Sequence, residues 1–149
     1  MKLLFLDMDG VMNNHQRMEN GYCGIRPECV KNLNKILNYV NCDIVISSAW
    51  RYMIPSTMSI TGFEYMLMIS GVCCRGRVIG HTRRDLCEPD DRGDQIRDYL
   101  IAHENQWKKY VILDDMEFNF KKLGLIYVQT DGKVGLTEEL ADKAIQLLK

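Results

Sequence analysis

Three short apolar runs in this chain each stop on a residue able to bind or react: Leu3–Leu6 on Asp7, Ile44–Ile46 on Ser47, and Val111–Leu113 on Asp114. Runs of this length are too short for helices and suit strands buried on both faces. Between them a helical spacing takes over. Pro27 opens a segment in which Val30, Leu33, Ile36, Leu37 and Val40 recur every three or four residues. Ile96, Tyr99, Leu100 and His103 share a second face, and Thr137 stands where a cap belongs before Leu140, Ala144, Ile145 and Leu148. Strands alternating with helices predict an α/β fold, a doubly wound, Rossmann-like, three-layer α/β/α arrangement around a mainly parallel sheet. Open sheets of that kind collect ligands and metals at the carboxyl ends of their strands, so Asp7, Ser47 and Asp114 are expected along one edge.

The remaining segments read less sharply. Asn14 to Gly24 is polar and glycine-containing, a loop over the carboxyl edge; Arg77–Gly80 is a possible short strand, and Leu123 to Val128 the last one. Pro55, Ser56 and Thr57 are placed to start a helix carrying Phe63, Met66, Leu67 and Ile69, its methionines serving as packing. Asp91 or Asp94 is expected to cap the helix that follows.

At 149 residues the chain has the length of one ordinary domain, and a single domain over residues 1–149 is the expectation. A formal net charge of -1 excludes a general basic field for nucleic acid or anionic membrane, so any polyanion must meet a local patch. Asp7 and Asp9 interrupt the apolar start before it reaches the length of a signal segment. No other run approaches the roughly 20 apolar residues of a membrane helix, and a cytoplasmic protein is expected. The six cysteines include no C-x-x-C pair, which favours reduced, small apolar residues over zinc ligands or a disulfide framework.

Asp7-Met8-Asp9-Gly10 sets two carboxylates two residues apart where a strand runs out into a glycine turn. Asp and Gly are also ordinary turn residues. Read as chemistry, two acids at a strand end suit phosphoryl transfer with a divalent cation, because bare carboxylates would repel a phosphate that Mg²⁺ draws in. Three further elements follow in order: Ser47-Ser48 after the second apolar run, Arg92 before a helix, and Asp114-Asp115 after the third run.

Together these four elements resemble the signature motifs of the haloacid dehalogenase (HAD) superfamily, mostly Mg²⁺-dependent phosphohydrolases. The resemblance implies that Asp7 is the nucleophile, transiently phosphorylated, and that Asp9 protonates the leaving oxygen and then activates water. Asp at the second position is the phosphatase form of this motif, and its backbone carbonyl would face Mg²⁺. Ser47 would hold a phosphate oxygen, with Ser48 its neighbour and rival. Arg92 would neutralise charge on Asp7 and the phosphoryl group, with Arg83, Arg84 and Arg97 as competitors. Asp114 would complete the metal site and Asp115 would bind through water or orient it. Gly10, Ser48 and Arg51 are assigned to substrate, Arg51 to a second phosphate, and Trp50 either stacks on a base or packs in the core.

Asp-x-Asp-Gly-Val, Ser-Ser-x-Trp-Arg, Arg-Gly-Asp-x-Ile-Arg and Leu-Asp-Asp look most like the compact HAD domains of Swiss Army Knife RNA repair proteins. That resemblance implies a phosphatase acting on RNA or DNA ends, with no obligate protein partner inferred. The intervals between motifs leave no room for a large cap domain, and an open site suits a bulky phosphorylated substrate. A nucleotide or sugar phosphatase is the alternative enzyme, and a catalytically silent binding module the alternative without turnover. A phosphoacceptor receiver domain is disfavoured, because its paired acids follow the first strand and here they come late.

Overall fold

The computed structural model describes residues 1–15, 24–48, 50, 59–83 and 91–149. In chain order these form β1 (Lys2–Leu6), α1 (Pro27–Tyr39), β2 (Asp43–Ile46), α2 (Ile60–Ile69), β3 (Val78–His81), α3 (Arg92–Ala102), β4 (Lys109–Asp114), β5 (Tyr127–Gln129) and α4 (Glu138–Leu148). The five strands make one sheet in the order β3-β2-β1-β4-β5, every pairing parallel. The chain therefore winds outward from β1 to β3, crosses back, and winds outward again through β4 and β5. The reversal falls between β1 and β4, and a crevice opens at such a switch point.

Alternation along each strand divides the core. Leu4, Leu6, Ile44, Ile46, Val111, Leu113 and Val128 face one side and pack with apolar residues of α1, α2 and α4. Leu3, Phe5, Val45, Tyr110 and Ile112 face the other, where α3 contributes Ile96 and Leu100. Each aliphatic or Phe side chain among these that is fully buried contributes about 1.5–3 kcal/mol. The helix starts follow local chemistry: Ser59, Asp91 and Thr137 each accept a hydrogen bond from a first-turn N–H, of Gly62, Gly93 and Leu140 respectively. Asp91, not Asp94, is thus the cap of α3.

Two expectations need correction. The last strand is Tyr127–Gln129 instead of Leu123 to Val128, because residues 117–124 close successive turns: Phe120 N–H to Glu117 O, Leu123 N–H to Asn119 O, and Gly124 N–H to Lys121 O. Ile69 does not join Phe63 and Leu67 in the core; it ends α2 on the outside, 68% exposed. Pro55, Ser56, Thr57 and the part of the Asn14–Gly24 loop from 16 to 23 lie outside the described residues.

Residues 60–81, the middle of the interval between Ser47 and Arg92, form α2 and β3, so this part of the chain builds the sheet and its cover and not a cap. Among the described residues, no helix is long and apolar enough to cross a membrane. Cys29, Cys42 and Cys74 belong to the apolar core, where burial pushes the Cys42 and Cys74 thiols up to about 11. Cys73 is exposed, and Cys23 and Cys87 lie outside the described residues.

Candidate active site

Strand register brings the three run-ending residues to one level of the sheet. Leu6 is paired with Ile46 on one side and Leu113 on the other. One residue further, the Asp7 N–H donates to Leu113 O at 3.0 Å and the Ser47 N–H to Leu6 O at 3.1 Å. Asp7, Ser47 and Asp114 thus stand side by side at the carboxyl edge, all buried. One carboxylate oxygen each from Asp7, Asp114 and Asp115 lies within 4.8 Å of the others.

Arg92 faces this acidic group from the first position of α3. Its Nη1 lies 3.1 Å from Asp7 Oδ1 and donates to Asp114 Oδ2 at 2.7 Å. The other Asp114 oxygen accepts from the Met116 N–H at 3.0 Å. The Phe118 ring covers the guanidinium at 4.6 Å, from a residue held at φ 45°. A side chain at positive φ is a strained arrangement that persists only where its surroundings enforce it. Of the competing cations, Arg83 pairs with Asp98 and Arg97 with Asp94, while Arg84 lies outside the described residues.

Gly10 closes the turn after β1 at φ +82°, a conformation that favours glycine. A Cβ there would run into the Asp115 carboxylate and come within 2.6 Å of His15 Nε2. Those two side chains meet each other at 2.8 Å, with His15 itself at φ 61°. Thr130 ties the turn to the site: its hydroxyl donates to Gly10 O at 2.6 Å and its N–H to Asp114 O at 2.9 Å.

Asp9 is turned a different way. Its Oδ1 accepts from Asn13 Nδ2 and its Oδ2 from Trp50 Nε1, both at 3.0 Å. The Trp50 ring packs against the core, so the indole packs and also donates a hydrogen bond. Ser48 accepts from the Trp50 N–H at 3.2 Å, which engages its hydroxyl with the backbone. Arg51 lies outside the described residues. Side chains of the site that the sequence reading did not assign include Asn13, His15, Phe118 and Thr130, and it gave the indole N–H of Trp50 no partner. Asn13 carried a signal, since an Asn shortly after an Asp-Gly turn is suited to bonding the turn's own backbone.

Three carboxylates against one guanidinium leave excess negative charge in a buried place. Burial, then repulsion from Asp114, raises Asp7 from 3.8 to about 7, against the pull of Arg92 and the Met8 N–H. Burial also raises Asp114, although Arg92 and the Met116 N–H draw it back. Burial works against the Arg92 guanidinium, but Asp114 and Asp7 more than offset this and hold its pKa above the usual value. A hard divalent cation fits what remains: the donors are all oxygens, and added positive charge relieves their repulsion.

No curated protein matches the chain. A family model described as the HAD domain in Swiss Army Knife RNA repair proteins matches it over residues 3–141. Among the described residues that span takes in every element apart from Lys2 at the start of β1 and the end of α4, and both sides of the switch point where the acids meet. The chain therefore belongs to the HAD domain family of Swiss Army Knife RNA repair proteins.

Proposed function

We propose that this chain is a Mg²⁺-dependent phosphomonoesterase that works through an aspartyl-phosphate on Asp7, with a nucleic-acid end as its substrate. Family membership supports a HAD-type phosphohydrolase. The observation that carries the mechanism is the meeting of Asp7, Asp114, Asp115 and Arg92 at the switch point, with Asp9 two residues beyond Asp7.

Asp7, Asp114 and Asp115, with the Asp9 backbone carbonyl, would hold Mg²⁺. When bound it supplies positive charge that offsets the buried acids and draws in the phosphate. Asp7 uses a carboxylate oxygen to attack phosphorus, forming the Asp7–phosphorus bond as the bond to the leaving oxygen breaks. Asp9 gives its proton to that oxygen. In the second step Asp9 takes a proton from water as the water oxygen attacks phosphorus, releasing phosphate and restoring Asp7. Arg92 remains beside Asp7 through both steps and stabilises negative charge that grows on the phosphoryl oxygens. Ser47, level with Asp7 on the next strand, offers its hydroxyl to a phosphate oxygen, and Ser48, Gly10 and Arg51 complete the substrate side.

The substrate class rests on the family's association with RNA repair and on an edge that carries no cap among the described residues. Turnover of 3′-phosphorylated and 5′-phosphorylated oligonucleotides is to be compared with free nucleotides and sugar phosphates, each with Mg²⁺ and with chelator. Preferred cleavage of an oligonucleotide end, lost on chelation and in Asp7→Asn, is the expected result. Turnover confined to small phosphates would overturn the substrate, and full activity in Asp7→Asn would overturn the mechanism.

A further inference from the structure

We propose that Trp50 and Asn13 form a two-armed clamp that fixes the Asp9 carboxylate for proton exchange with the leaving group, Trp50 being a positioning residue for the reaction. This rests on the acid and base roles given to Asp9 above.

The two arms reach Asp9 from segments that follow different strands. Asn13 lies in the loop after β1 and is fully buried. Its Oδ1 accepts from the Gly10 N–H at 2.9 Å and from the His15 N–H at 3.1 Å. Those two bonds settle which way the amide faces, because turning it over would set its NH₂ against two N–H donors. With the oxygen so engaged, Nδ2 points at Asp9 Oδ1. Trp50 lies beyond β2, its backbone N–H bound to the Ser48 hydroxyl and its ring packed on the core. An indole has one donor and no acceptor, and that donor is given to Asp9 Oδ2.

A carboxylate gripped at one oxygen still swings about its own axis. Gripped at both, it keeps one plane, while each oxygen retains acceptor capacity for a proton or a water. Asp9 belongs to the turn that follows β1, and both its oxygens are bound by the two arms while Asp7, Asp114 and Asp115 gather as a separate group. The clamp holds the acid and base group apart from the metal-binding carboxylates. Trp50→Phe keeps an aromatic ring against the core and removes the N–H donor that grips Asp9.

Leaving-group dependence separates positioning from a general loss of structure. An alkoxide, such as a sugar oxygen, departs only with a proton, whereas p-nitrophenolate departs without one. kcat/KM reports the steps through first bond cleavage, so it isolates the proton donation from the later hydrolysis. For Trp50→Phe, kcat/KM on glycerol 2-phosphate or a phosphorylated oligonucleotide should fall roughly 10–100-fold. On p-nitrophenyl phosphate it should fall by less than about 3-fold, since no proton is required there. Asp9→Asn, run alongside, should show the same selectivity with a larger alkyl loss. Where Trp50→Phe does not fold, the benzothienyl analogue of tryptophan at position 50 preserves the ring's shape and removes the N–H. An equal loss on both substrates, or no loss on the alkyl substrate while Asp9→Asn remains selective, would overturn the clamp alone. Absence of selectivity in Asp9→Asn would overturn the role of Asp9 and the clamp with it.

Discussion

Replacing Asp7 with Asn is expected to stabilise the metal-free protein at alkaline pH while abolishing turnover. In the folded chain Asp7 is raised from 3.8 to about 7 by burial and by Asp114, so ionising it there is harder than in the unfolded chain. Between these values the folded state binds the extra proton, and stability falls as pH rises through the window. At about 1.36 kcal/mol per pH step between those values, the ionised acid costs the fold up to about 4 kcal/mol above pH 7. Near pH 4 the cost is under about 1 kcal/mol. Asparagine carries no charge at either pH. Allowing for the lost Arg92 contact, Asp7→Asn should gain about 2–4 kcal/mol at about pH 8, near 5–15 °C in Tm. Thermal melts of both proteins in EDTA, from acid to alkaline pH, make the comparison. Saturating Mg²⁺ should close the gap, because the parent gains about 2.7 kcal/mol when the metal stands at 100 times its Kd. An Asn variant no more stable than its parent at alkaline pH, or a gap that does not grow with pH, would refute the argument that the acids are held against their own repulsion.

Removing the guanidinium with Arg92→Met leaves Asp7 and Asp114 without their counter-charge and should cost about 3–5 kcal/mol near neutral pH. Denaturant melts should show that cost shrinking in acid, as the two carboxylates take up protons. Gly10→Ala forces a Cβ into Asp115 and His15 at a backbone angle that disfavours it, so it should lose about 1–3 kcal/mol of stability. Calorimetry should show its Mg²⁺ affinity falling as well. Thr137→Ala removes the cap of α4, far from the chemistry, and should cost about 1 kcal/mol in melts without changing kcat/KM.

The parts legible in the sequence were those carried by local periodicity. Short apolar runs declared β1, β2 and β4, and because parallel strands pair in register, the residue ending each run landed at one edge with the others. Helix starts were legible at Pro27 and Thr137, where the capping chemistry is local. The last strand was misplaced because Leu123 to Val128 has strand-like composition, but the turns at Glu117–Gly124 take up the first part of it. Arg92 was one of four candidate cations on sequence alone; three-dimensional placement sets it 2.7 Å from Asp114 and gives Arg83 and Arg97 other partners. Trp50 shows the limit most clearly. Its apolar ring predicts packing, and it packs, but the target of its single N–H lies 41 positions earlier in the chain, and no local pattern encodes so distant a hydrogen bond.

A covalent phosphate on Asp7 can be trapped during turnover. Asp9→Asn retains the nucleophile and lacks the base for the second step, so with p-nitrophenyl phosphate and Mg²⁺ it should accumulate the phosphorylated form. Borohydride added during turnover reduces an aspartyl-phosphate to homoserine, which peptide mass spectrometry locates. Homoserine is expected at position 7, with none in Asp7→Asn. Turnover of the parent with unmodified Asp7 throughout, or homoserine at another acid, would contradict the covalent phosphate on Asp7.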